Sequence, residues 1–303
     1  MQRTLNNKNP TAKDYLLLTT LAAIFGLSFI FTNISVREVP PLTVTAARLF
    51  IALLIMYPIM FAAGQKLPRA GKIWIYVFLS GLFGNALPFA LVSWGQVKVD
   101  AGLSAIFMAV MPLSTILLAQ ILTNDERINR WKMAGVLLGF AGIVVLMGKN
   151  SFTALGDEML RQLAILIAAI SYALNAIITR KLTALPKYSM VAALMVAGSI
   201  LMVPASLLID QPWGLSVHIE SIGALVMLAV GSTAIATLLI LVIIERCGAT
   251  FLSQINFMVP LFGVLFGAVL LNERLAANAY IALAIILIAL ALSRRGQGTG
   301  QST

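Results

Sequence analysis

Blocks of about 20 apolar residues recur along the chain, each closed by a short polar stretch that often holds Pro, Gly or Asn. A helix of about 20 apolar residues covers the roughly 30 Å of hydrocarbon in a bilayer. The pattern predicts ten spans, near residues 15–36, 42–63, 73–94, 100–122, 131–147, 161–180, 189–209, 219–243, 249–271 and 279–293. The apolar positions fill these blocks all round instead of forming one stripe, as suits helices facing lipid and one another. Composition agrees: 60% of the 303 residues are hydrophobic and 11% charged, against about a quarter charged in soluble domains.

Charge sets the expected orientation, because short loops let Lys and Arg decide which side stays inside. One side receives Arg3, Lys8, Lys13, Lys66, Arg69, Lys72, Arg127, Arg130, Lys132, Arg180, Lys181, Lys187, Arg246, Arg294 and Arg295, which makes 15. The other receives Arg37, Lys98, Lys149, Arg161 and Arg274, which makes five, and Arg48 lies within a span. The split predicts an inner-membrane protein with both termini cytoplasmic, residues 1–14 before the first span and 294–303 after the last. The net charge of +10 is then topogenic. No nucleic-acid partner is expected, since no stretch is long enough to fold a basic, aromatic-studded domain. The single Cys247 excludes a disulfide framework and a cysteine-rich metal site. The basic N-terminal stretch leads into a full-length span without a small-residue cleavage site, so no cleavable signal is expected.

The chain also repeats itself. A shift of 147 or 148 residues lays Asn124-Asp125-Glu126-Arg127-Ile128 on Leu271-Asn272-Glu273-Arg274-Leu275, and Pro112 on Pro260. It also lays Ala22, Leu27, Ile30 and Thr32 on Ala169, Leu174, Ile177 and Thr179. Each copy, 15–147 and 148–293, holds five spans. An odd number inverts the second copy in the membrane, and inverted repeats are the architecture of alternating access. Some channels share it.

Three recurring motifs resemble the EamA-domain members of the drug/metabolite transporter superfamily. They are the aromatic-small pair Phe25-Gly26, echoed by Tyr172-Ala173; the early Arg of span two, in Ala46-Ala47-Arg48-Leu49-Phe50; and the mid-span Pro followed by Asn-x-Glu-Arg. The family often has Trp where this chain has Phe25 and Tyr172, so contacts that use an indole do not carry over. The resemblance implies an all-α secondary transporter, commonly an exporter of amino acids or related metabolites.

Polar side chains inside a membrane face a partner or a watery cavity. Phe25, Ser28 and Thr32 share one face of span one, and Tyr172, Asn175 and Thr179 repeat it in span six. They are expected to line a central cavity, or else to bond helix to helix. Asn85 and Phe89 of span three correspond to Thr233 and Thr237 of span eight. Pro112 and Pro260 each free a carbonyl about one turn earlier, which singles out Met108 and Met111 in span four, and Gln254, Asn256 and Phe257 in span nine. Arg48 either attracts a carboxylate or extends to the interface. The substrate-site expectation is thus Phe25, Ser28, Thr32, Arg48, Asn85, Phe89, Met108, Tyr172, Asn175, Thr233, Asn256 and Phe257. Glu126 and Glu273 read as caps between spans. Gly135-x-x-x-Gly139-x-x-Gly142 and Gly263-x-x-x-Gly267 read as packing stripes, within the chain or in a homodimer.

All 11 acidic residues and His218 fall in loops or at span ends, so no deep titratable group offers itself for proton coupling. There is no phosphate-binding Gly-x-x-x-x-Gly-Lys-Ser/Thr loop, and no acidic cluster for metal-assisted catalysis. Neither an enzyme nor a cofactor is expected. The expected partners are membrane lipids and a small solute, with an amino acid ahead of drugs and of lipid-linked or nucleotide sugars. A phosphate-bearing cargo would want several basic cavity residues, and Arg48 alone qualifies.

Overall fold

The computed structural model describes residues 10–123, 129–151 and 157–298. Glu126 and Arg127 lie outside them. The described residues form helices and connecting turns, without strands. In chain order these are α1 (Ala12–Ser35), α2 (Pro41–Ala62), α3 (Ile73–Gln96), α4 (Ala101–Leu122), α5 (Arg130–Ser151), α6 (Asp157–Leu182), α7 (Lys187–Asp210), α8 (Ile219–Leu252), α9 (Ile255–Leu270) and α10 (Ala277–Gly298). Among the described residues nine helices are long and apolar enough to cross a membrane, and the shorter apolar α9 is the remaining one.

The break between α8 and α9 lies ahead of the end of α8. Gly248 has φ 82° and ψ 169°, a left-handed conformation that a residue without Cβ adopts at little cost. The chain therefore turns at residue 248, where the apolar pattern starts its ninth block. Before that turn α8 outruns its expected end at 243, because polar side chains hold its last turns to neighbours. Arg246 Nε donates to Asp14 Oδ1 at 2.6 Å, and Lys187 Nζ to Glu245 Oε1 at 2.5 Å. Helix α6 likewise begins four residues early. Asp157 and Glu158 fill its first turn, where carboxylates suit the positive helix end, and Arg161 reaches back to Asp157 at 3.2 Å.

Two helices carry a π turn at matching places, Leu82–Ala86 in α3 and Val230–Ile235 in α8. The starts are 148 residues apart. In α3 the turn leads into Pro88, which has no N–H for residue 84, and the widened turn closes with Leu87 N–H donating to Leu82 O. In α8 no proline is present. There the Thr233 hydroxyl takes up the Leu228 carbonyl at 3.1 Å, and Thr237 takes up the Thr233 carbonyl at 2.6 Å. π turns inside α-helices cluster at functional sites.

Packing follows a pattern that survives exchanging each helix with its counterpart five places on. Helix α1 packs on α8 and α9 as α6 packs on α3 and α4; α2 meets α7, α4 meets α9, and α5 lies along α10. The glycine stripes are used inside the chain. A methyl group at Gly135 would stand 2.6 Å from the Ala289 carbonyl, and one at Gly142 would stand 2.8 Å from Ile286. Close approach of this kind lets dispersion hold helices that gain little from the hydrophobic effect in lipid.

Candidate functional site

Arg48 comes from the second turn of α2 and is only 7% exposed. Its Nε donates to Thr233 Oγ1 at 2.7 Å, and its guanidinium carbon lies 3.6 Å from the centre of the Phe89 ring. The hydroxyl proton of Thr233 is committed to Leu228, so its lone pairs are free to accept from Arg48. The π turn of α8 thus orients the arginine. Phe89 in turn lies 6.3 Å, centre to centre, from Tyr172 of α6. Asn85 sits one turn before Phe89 on α3, in the other π turn.

What these groups lack is as informative as what they have. Among the described residues Arg48 makes no second hydrogen bond and meets no carboxylate. The Asn85 amide and the Tyr172 hydroxyl make no hydrogen bond there either. A buried charge is costly unless paired. Here α2, α3, α6 and α8 hold a cation over an aromatic face, worth about 0.5–2 kcal/mol, and leave its terminal N–H groups unused by the protein. Such an arrangement can grip a carboxylate.

A cavity of about 260 Å³ opens further along the bundle, lined by Met111, Pro112, Thr115 and Ile116 of α4, Ala176 of α6, Leu290, Ser293 and Arg294 of α10, and Ser253, Asn256 and Phe257. Ala176 is one turn, about 6 Å of rise, beyond Tyr172 on the same stripe of α6. The cavity follows from two tightened turns. Ala109 and Val110 donate to Ile106 and Phe107, and Gln254, Asn256 and Phe257 to Phe251, Ser253 and Gln254, all three residues back. These tightened turns precede Pro112 and Pro260 and part α4 from α9 at this end.

At the other end α4 and α9 touch. Gly263 packs on Ala105, and Gly267 sits under the Glu273 carboxylate. Glu273 folds back so that Oε1 accepts from Ala101 N–H at 2.7 Å and Oε2 from Gly102 N–H at 2.9 Å. One carboxylate thus caps α4 and ties it to α9. Burial pushes that carboxyl above its ordinary range, against the pull of the two N–H groups. Nearby Asp100 is also raised by burial, with Glu158 adding to it.

The remaining sequence candidates fall elsewhere. Phe25 packs in the cluster that joins Ala22 of α1, Ala236 and Phe251 of α8, and Phe262 of α9. Thr32 is buried and donates to the Ser28 carbonyl at 2.8 Å, and Met108 packs with the core around Phe107 and Leu113. Asn175 accepts from Ser80 at 2.5 Å and from Thr179 at 3.0 Å, with its amide against Gly84, which bonds α6 to α3. Asn256 and Phe257 line the cavity. In the sequence Arg294 reads only as a topogenic charge; its bond to Ser253 beside the cavity carries no sequence signal.

The model of the EamA-like transporter family matches the chain twice, over residues 13–148 and 159–295. The chain belongs to the EamA-like transporter family. This is a family of membrane transporters within the drug/metabolite transporter superfamily. Among its relatives is the "Uncharacterized inner membrane transporter YedA" of Escherichia coli (strain K12), 26% identical over 282 residues, covering 92% of this chain and 90% of that protein. Another is the "Probable amino-acid metabolite efflux pump" of the same strain, 24% identical over 288 residues, covering 92% of this chain and 93% of that protein. A crystal structure 22% identical in sequence superposes with a TM-score of 0.68, covering 97% of this chain and all of the other, so the fold is shared.

Proposed function

We propose that this protein is a secondary transporter of the inner membrane that exports small metabolites, amino acids first among them, by alternating access. Ten spans cross the membrane as two inverted repeats of five, with both termini cytoplasmic. The paired family matches, the matching π turns and the exchange-symmetric packing support the repeat. The Lys and Arg asymmetry supports the orientation.

The observation that carries the substrate class is Arg48: buried, oriented by Thr233, stacked on Phe89 and, among the described residues, without a carboxylate partner. A single cation of this kind suits the carboxylate of a zwitterion, while the Tyr172 hydroxyl and Asn85 amide suit a neutral or ammonium-bearing neighbour. The naming of one relative as a "Probable amino-acid metabolite efflux pump" points the same way. The contact of α4 with α9 at the Glu273 end, and the cavity at the Arg294 end, support the reading of a carrier closed outside and parted inside. The test is uptake of radiolabelled amino acids, sugars and cationic drugs into proteoliposomes. Saturable transport of amino acids supports the reading; transport confined to sugars or drugs overturns it.

A further inference from the structure

Arginines at the ends of membrane helices normally extend toward headgroups and water. Arg295 is exposed. Its neighbour Arg294 turns inward instead. Its Nη2 donates to Ser253 Oγ at 2.7 Å, and its guanidinium carbon lies 4.7 Å from the centre of the Phe257 ring. The Ser253 hydroxyl proton is committed to the Thr250 carbonyl at 2.8 Å, so Ser253 can only accept from the arginine. Among the described residues Arg294 makes no second hydrogen bond and meets no carboxylate. This is the arrangement of Arg48 over again: a guanidinium laid on an aromatic ring, steered by one hydroxyl, with donors left over.

The cavity beside it completes a binding surface. Asn256 Nδ2 donates to the Ser253 carbonyl at 3.1 Å, so its Oδ1 remains as an acceptor. Met111, Pro112, Ile116 and Leu290 supply an apolar wall. A cation, a carbonyl acceptor and an apolar wall around about 260 Å³ match the carboxylate, ammonium and side chain of a small apolar amino acid.

We propose that Arg294 and this cavity form an entry subsite, which holds the solute's carboxylate before it passes along the Tyr172–Ala176 stripe of α6 to Arg48. The proposal rests on the reading of the cargo as a carboxylate-bearing solute. Purified protein is titrated with leucine, with 4-methylpentanoate (carboxylate without ammonium) and with isoamylamine (ammonium without carboxylate), and binding is read as thermal stabilisation. In an Arg48→Gln background, 4-methylpentanoate still binds, and adding Arg294→Gln weakens that binding about tenfold or more, as loss of a charged hydrogen bond does. Arg294→Lys, which keeps the charge, falls between the two and serves as the control for folding. Binding in the double variant within twofold of Arg48→Gln overturns the subsite and leaves the cargo reading intact. If wild-type protein binds neither leucine nor 4-methylpentanoate, the cargo reading fails and the subsite with it. A third arm uses phosphatidylglycerol: stabilisation that depends on Arg294 for this lipid but not for 4-methylpentanoate makes the arginine a headgroup anchor and overturns the proposal.

Discussion

Arg48 and Asn175 are both polar residues in the hydrocarbon zone, and their surroundings separate them. Among the described residues Arg48 has one hydrogen bond and no counter-ion. Removing its charge should therefore leave the fold standing and take away a ligand contact worth about 1.5–3 kcal/mol. Arg48→Gln is expected to weaken amino-acid binding roughly 10- to 100-fold, with Arg48→Lys recovering little because an ammonium cannot present a flat fork. Binding isotherms on purified variants check this. Asn175 is engaged by Ser80 and Thr179 and backed by Gly84. Asn175→Ala should lower the melting temperature while changing affinity by less than about twofold, since bonds between membrane helices average about 0.6 kcal/mol. Melting curves and isotherms on the same preparation decide it; unchanged stability with lost affinity would return Asn175 to the site.

Among the helices, α4 and α9 are the pair proposed to move. They meet through Gly102, Ala105, Gly263 and Gly267, and Glu273 fastens the contact through two N–H groups of α4. Glu273→Ala removes both bonds and should bias the pair toward parting at this end. A cysteine placed at Ala105 should then react faster with a membrane-impermeant maleimide added from outside, in the Cys247→Ser background; an unchanged rate would show that packing alone holds the end closed. Much of this pair was legible beforehand. The mid-span prolines and the glycine spacing are visible in the sequence because each changes backbone chemistry wherever it stands. The direction of the Glu273 side chain was legible only as a cap, because its partner helix is 171 and 172 residues away in sequence. The π turns and the inward fold of Arg294 were not legible. Both depend on which hydroxyl finds which carbonyl or guanidinium once helices are packed, and periodicity is blind to that. The expected ends of α6 and α8 fell short for a related reason. Apolar length marks where lipid ends, whereas the helix runs on as long as ion pairs such as Asp14–Arg246 support it.

For the whole molecule, the acids near the bundle ends bear on energy coupling. Asp14 pairs with Arg246, Glu245 with Lys187, Glu38 with His218, and Glu273 caps α4. Hydrogen bonds from His218 and Ser221 hold the Glu38 carboxyl below its ordinary range, so it stays ionised near neutral pH. None of these groups touches Arg48 or the cavity at Arg294 among the described residues. Transport into proteoliposomes should therefore persist without a pH gradient and resist protonophores. Strict dependence on an imposed gradient would assign coupling to Asp100 or Glu273, which among the described residues are the end-of-helix carboxyls that burial raises.

In the proposed cycle one site, organised by Arg48, faces each side of the membrane in turn. Counterflow tests it most directly. Proteoliposomes are loaded with a high concentration of an unlabelled apolar amino acid, diluted into a trace of the labelled one, and followed over time. Alternating access predicts a transient accumulation of label above its equilibrium level, saturable in the internal amino acid and abolished by Arg48→Gln. Label that rises monotonically to equilibrium, at a rate indifferent to the internal load, would rule out alternating access and describe a channel.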